Sequence, residues 1–126
     1  MNNLAEILYN FYSSFGVPAF VEGYVPDDNT AELYITYSLA QPEWLSQATH
    51  YARVWHRSTS YAQITQLIDS ISSRIGMGIS FPADSGSIYL FKDSQFVQFQ
   101  NSDDLDWKIA YLSMIIEANI AKGVTE

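Results

Sequence analysis

Apolar positions along this chain form two helical stripes separated by runs of strict alternation. Leu4, Ile7, Leu8, Phe11 and Phe15 recur at three- and four-residue intervals, the spacing of a helix with one apolar face. Asn2 or Asn3 occupies the N-cap position ahead of them, and Gly16 followed by Pro18 ends the segment. The same spacing returns in Tyr61, Ile64, Leu67, Ile68, Ile71 and Ile75, the strongest helix signal in the sequence. Ser58, Thr59 and Ser60 precede it with hydroxyls suited to accept from the free N–H groups of a first turn. Ser60 with Gln63 also fits a capping box. Gly76 and Gly78 stop the helix, Gly76 in the left-handed conformation that only glycine reaches cheaply.

Between and after the stripes the period changes to two. Residues 19–25 predict a short strand, and Pro26-Asp27-Asp28-Asn29 is a turn signature. In 32–39, Leu33, Ile35, Tyr37 and Leu39 share one face and Tyr34, Thr36 and Ser38 the other, as in a half-buried strand. Pro42-Glu43-Trp44 belongs to a loop. In 49–56, Tyr51, Arg53 and Trp55 alternate with His50, Ala52, Val54 and His56. Neither face is purely apolar, so the aromatic-plus-arginine face is covered either by a partner or by one of the chain's own helices. Beyond the second helix, 79–81, 87–92 and 95–101 read as an antiparallel meander, with turns at Pro82-Ala83-Asp84-Ser85-Gly86 and Lys92-Asp93-Ser94.

The segment 105–120 fits two periods. As a helix it places Trp107, Tyr111, Met114, Ile115 and Ala118 together. As a strand it sets Leu112, Met114, Ile116, Ala118 and Ile120 against Tyr111, Ser113, Ile115 and Glu117. Periodicity does not choose between them in so apolar a run. The element order predicts an α+β fold: a mainly antiparallel mixed sheet with two helices packed on one face. A chain of 126 residues is one domain, with a core over 1–118 and a tail over 119–126 that frays.

Composition narrows the function. A formal charge of −8, with only six basic residues scattered along the chain, opposes a general affinity for nucleic-acid phosphates. No cysteine is present, which excludes disulfides, thiol catalysis and thiolate zinc sites. No apolar run reaches the length of a membrane span, and the N-terminus lacks a signal-peptide pattern. Nine tyrosines, seven phenylalanines and three tryptophans supply large amphipathic contact surface, of the kind enriched at interfaces.

A search for chemistry finds no constellation. His50 and His56 lie on one face of the same strand, six residues or about 20 Å apart, too far to share a metal. Asp103, Asp104 and Asp106 lack the glycine and spaced ligands of a calcium loop. Ser58-Thr59-Ser60 near His56 has the residue types of a nucleophile and a base, but helix capping accounts for the same hydroxyls. No Gly-x-Ser-x-Gly or phosphate-binding glycine loop occurs. The reading is a non-enzyme with no cofactor and no metal.

The order of segments resembles a known family. An opening helix leads to Phe20-Val21-Glu22-Gly23-Tyr24-Val25-Pro26-Asp27-Asp28 and Leu33-Tyr34-Ile35-Thr36-Tyr37-Ser38-Leu39. Then come Val54-Trp55-His56-Arg57-Ser58-Thr59-Ser60-Tyr61, Ile68-Asp69-Ser70-Ile71 with Ile75-Gly76, and Gly86-Ser87-Ile88-Tyr89-Leu90-Phe91-Lys92. This arrangement resembles the small tail-completion, tail terminator or minor capsid proteins of tailed phages and prophages of Gram-positive bacteria. The resemblance covers residues 1–118 and favours the strand reading for about 108–118. It implies a homo-oligomeric ring, usually a hexamer, that caps the tail tube and joins it to the head connector or stopper protein. It further implies assembly in the host cytoplasm and a place in the virion tail or neck. DNA would cross the ring without being specifically bound, and an acidic lumen would keep it from sticking. No membrane is involved.

Subunit-interface residues follow from the alternation instead: Tyr51, Arg53, Trp55 and Arg57 of the 49–57 region, with Tyr24, Asp27 and Asp28 of the loop before the second strand. Two other readings share these features. One is a head-completion or stopper ring; the other is a small acidic binding or immunity-type module that covers a basic partner.

Overall fold

The first apolar stripe folds as α1 (Leu4–Ser13), burying Leu4, Ile7, Leu8, Phe11 and Tyr12. The second folds as α2 (Ala62–Ile75), burying Ile64, Leu67, Ile68, Ile71 and Ile75. The computed structural model describes residues 4–39, 46–83, 86–100 and 106–120. Asn2, Asn3, the 42–44 loop, Asp84, Ser85, Asp103, Asp104 and the 121–126 tail lie outside them.

Six strands form one sheet: β1 (Ala19–Val21), β2 (Leu33–Tyr37), β3 (Gln47–Arg57), β4 (Ile79–Ala83), β5 (Gly86–Gln100) and β6 (Trp107–Ile120). Their spatial order is β1-β2-β3-β6-β5-β4. The β1–β2 pair is parallel and the other pairs are antiparallel, and the sheet curls as a half-barrel. The α+β class and the mixed, mainly antiparallel sheet are as the sequence predicts.

β3 and β6 are its centre, paired from Gln47 opposite Glu117 to Arg57 opposite Trp107. With β5 on its other side, β6 is committed to strand, which settles the two-period segment. Ala110, Leu112, Met114, Ile116 and Ala118 are buried. Register puts them beside Ala52, Val54 and His50 of β3 and Ile35 and Tyr37 of β2. The buried residues of both helices join this same cluster, so both helices cover one face. The fully buried alanines Ala52 and Ala110 leave room for close approach there, where larger side chains would hold a helix off the sheet.

Several local expectations are corrected. β1 ends at Val21, not at residue 25, because Gly23 takes φ +86° and the Tyr24 N–H turns back to the Val21 carbonyl (2.9 Å). Leu39 falls beyond β2 and is 46% exposed. Tyr61 is the N-cap of α2, not part of its buried stripe, and the Ser60–Gln63 capping box does not form. Instead Ser58 Oγ accepts from the Ser60 N–H (3.0 Å) and Ser60 Oγ from the Ala62 N–H (3.1 Å). Gly76 has the expected positive φ of 57°, but its ψ of −128° lies outside the left-handed helical region.

The meander over 79–101 is also simpler than expected. β4 and β5 form a hairpin, after which β5 runs on to Gln100 without a turn at Lys92-Asp93-Ser94. From Lys92 to Val97 the strand advances while β6 moves only from Met114 to Leu112, a bulge in place of the turn. Asp93 closes it, accepting from the Ser94 N–H (2.8 Å) and the Ser113 hydroxyl (3.1 Å).

One polar network lies inside the core. His50 faces the helices and is buried; Tyr12 Oη of α1 lies 2.8 Å from its Nε2 and Ser38 Oγ 3.2 Å from its Nδ1. Ser38 Oγ also accepts from the Tyr51 N–H (3.1 Å), and the Tyr12 hydroxyl donates to Met114 Sδ at 3.7 Å. A neutral ring with its proton on Nε2 satisfies the whole chain: Nε2–H to Tyr12, Tyr12 to Met114, Ser38 to Nδ1. Burial raises the Tyr12 phenol far above its ordinary range and lowers the imidazole to about 4.

Since the unfolded imidazole protonates near 6.5 and the folded one only near 4, the unfolded state takes up the extra proton between those values. Stability is therefore expected to fall as pH drops through this window, by up to about 3 kcal/mol. Urea denaturation from pH 7 to 5 is the check. His50→Asn should start less stable and lose most of that slope.

Candidate functional site

Every second residue of β2, β3 and β6 points away from the helices. Register aligns these side chains in rows: Tyr34, Trp55 and Ile109; then Phe20, Thr36, Arg53 and Tyr111; then Tyr51 and Ser113; then Thr49, Ile115 and Phe91. Among the described residues neither helix lies over this face, so α1 and α2 do not cover the aromatic-plus-arginine side of β3.

The rings shield one another instead. Tyr34 stacks on Trp55 with centroids 5.9 Å apart, and Trp107 meets both edge-on at 6.1 and 6.5 Å. Phe20 packs edge-on against Tyr34. The Trp55 indole N–H donates to Thr36 Oγ1 (2.9 Å), so its polar edge is satisfied within the sheet. Burial, with the nearby Glu22 carboxylate, holds the Tyr34 phenol above its usual range.

Arg53 sits at the middle of the face. Its guanidinium lies 5.5 Å from the Tyr51 ring centre and 5.6 Å from that of Tyr111, two rings that stack on each other at 5.4 Å. It also forms an ion pair with Glu22, in the turn after β1. The pair is about one-quarter to one-third exposed, so the charges cancel within a largely apolar patch. The other Glu22 oxygen, Oε2, is buried and has no hydrogen-bond partner among the described residues.

Of the expected interface residues, Tyr51, Arg53 and Trp55 meet on this face. Tyr24 is 78% exposed at its border, beyond the end of β1. There a recess of about 460 Å³ is lined by Tyr9, Phe20, Val21, Tyr24, Tyr37 and Leu39. A second, of about 470 Å³, continues from Tyr24 and Leu39 to Glu22 and Tyr51. Arg57 follows Tyr51, Arg53 and Trp55 on the same alternation, opposite Trp107 in the register, whereas the structure does not bring Asp27 or Asp28 into this group. Asp27 and Asp28 are exposed in the turn closed by the Asn29 N–H to the Pro26 carbonyl (3.0 Å). Arg57 is exposed at the end of β3, where its N–H donates to the Glu32 carbonyl.

Glu22, Phe20, Tyr34, Trp107 and Tyr111 belong to the face, and sequence reasoning did not select them. The signal was present in the odd-numbered positions of 107–117 and the even ones of 32–38, but only strand pairing shows that they are one surface. His56, on the helix side, is buried with Nδ1 unpartnered among the described residues. The described residues hold no group of three or more metal-ligating side chains.

No family model matches the sequence, and no curated protein matches it. Among solved structures, the fold is similar to that of a chain in the virion of a native gene transfer agent particle. The TM-score is 0.62 at 14% identity, over 85% of this chain and 82% of that one. That likeness is one of fold.

Trp55→Ala removes two ring contacts and one hydrogen bond from the open face and leaves the helix-covered core untouched. The expected cost is about 2–3 kcal/mol of folding stability, read by urea denaturation. Failure to fold would place Trp55 in the principal core.

Proposed function

We propose that this chain is a structural protein of a phage-like virion, a tail terminator whose copies form a ring on the end of the tail tube and join it to the head connector. The observation that carries the reading is the open sheet face. It holds a broad patch of stacked aromatic rings, internally neutralised by the Arg53–Glu22 pair, on a fold shared with a virion chain. Exposed apolar patches of this kind mark contact surfaces in soluble proteins. A broad face of half-buried rings suits another protein surface better than a small ligand, which needs an enclosing cleft with converging polar groups.

The next copy lies across part of this face and the recess at its border, and six copies close the ring, as the family resemblance implies. A closed ring requires two different patches per subunit, and the remaining surface is left for the tube protein and the connector. The net charge of −8 suits a ring that DNA crosses without adhering. On this reading the chain is not an enzyme and binds no cofactor; it works in the virion tail or neck after assembling in the host cytoplasm.

Light scattering with negative-stain microscopy of the purified chain tests the proposal. The expected result is a species near six times the 14.3 kDa chain mass, seen as rings with an open centre. A chain that stays monomeric at every soluble concentration, yet binds one basic protein with strongly salt-dependent affinity, would instead be an inhibitor-type module.

A further inference from the structure

The turn after α2 holds one methionine out in solvent. Met77 is 99% exposed, and the residues around it fix its place. Gly76 and Gly78 flank it with φ of +57° and +144°, values that other residues adopt only at a cost. The Gly76 N–H is tied to the Ser72 carbonyl (2.9 Å) and the Gly78 N–H to the Ile75 carbonyl (2.9 Å). Tyr89 of β5 reaches across and donates its hydroxyl to the Met77 carbonyl (3.3 Å). It passes so close to Gly78 that a Cβ there would lie 1.8 Å from the Tyr89 oxygen. The backbone is clasped and the apolar side chain is presented.

The recess bordered by Tyr9, Tyr24 and Leu39 is its chemical complement. Aromatic rings of Tyr9, Phe20, Tyr24 and Tyr37 line it, and a thioether makes favourable contacts with ring edges.

Helix α1 separates the two features within one molecule. Its Tyr9 lines the recess, while its Phe11 meets Phe81 of β4 at 5.5 Å and lies under Arg74 (5.9 Å). The turn therefore does not fill the recess of its own molecule. Through the register Tyr37 is level with Leu112 and Ile79 with Ile116, about 13 Å apart along the strands, and Leu39 after Tyr37 and Met77 before Ile79 lie closer in register than that. A contact between two different patches of this kind is heterologous, the type of interface that a ring is built from.

We propose that Met77, on the Gly76-Met77-Gly78 turn of one copy, inserts into the Tyr9–Tyr24–Leu39 recess of the next. This rests on the ring reading and identifies its head-to-tail contact. The chain has no cysteine, so introduced thiols report the contact without background. Under mild oxidation the Met77→Cys/Tyr24→Cys double variant should give a ladder of covalent multimers. A mixture of the two single variants should stop at dimers, and each single variant alone should stay uncrosslinked. Met77→Asp should weaken self-association at least tenfold by light scattering, and Met77→Leu should preserve it.

Covalent dimers from Met77→Cys alone would show turn meeting turn and overturn the contact. So would a double variant that consumes both thiols while staying monomeric. Rings that persist without cross-links, and that Met77→Asp leaves intact, would overturn this contact and leave the ring reading standing. Absence of self-association at every concentration would overturn both.

Discussion

Every strand in the middle of this sheet has two sides worth burying, and the two helices bury only one. α1 and α2 together cover the side that carries Ala52, Val54, Ala110, Leu112 and Met114. The other side carries Tyr34, Tyr51, Trp55, Trp107 and Tyr111, large rings that remove much of their surface from water by stacking on one another. Burial of apolar area is worth roughly 25 cal/mol per Å², so a half-buried aromatic face holds free energy that a neighbouring surface releases on contact. The Arg53–Glu22 pair fits the same logic, because a charge cancelled before assembly costs less to desolvate than a lone one.

The helix side carries its own constraint. His50 points into the core, and its ring is retained there because Tyr12, Ser38 and Met114 meet it with matched donors and acceptors. This network ties α1 to β3 and β6, and the Tyr12 ring also stacks on Tyr37 of β2 at 4.9 Å. α1 is thereby held across three strands. Its position supports one wall of the recess through Tyr9 and keeps the recess apart from the α2–β4 turn.

Local periodicity carried the helices and most strands, since a period of 3.6 or 2 is written in neighbouring residues. It did not carry Tyr12, whose burial depends on His50, a partner 38 residues away. Nor did it tell which side of β3 faces the helices, because histidines and aromatics alternate there. Side-chain volume decides that choice: alanines admit α2, and indoles do not. Lys92-Asp93-Ser94 shows a different limit, for the residues that favour a turn also favour a bulge, and only pairing with β6 distinguishes them. The candidate face was half legible. Tyr51, Arg53 and Trp55 stood out within one strand, whereas Tyr34, Trp107 and Tyr111 join them only through register. Arg57 follows Trp55 at the end of β3, opposite Trp107, whereas Asp27 and Asp28 were drawn in by proximity in sequence and lie in an exposed turn.

The central claim is that the uncovered aromatic face is a contact surface between protein chains. Acrylamide quenching of tryptophan fluorescence in a Trp44→Phe variant, which leaves Trp55 and Trp107 as reporters, tests it most directly when followed from dilute to concentrated chain beside light scattering. Quenching should fall several-fold, with a blue shift in emission, over the same concentrations at which mass increases. Assembly that proceeds while both tryptophans stay as accessible as in the monomer would contradict the account.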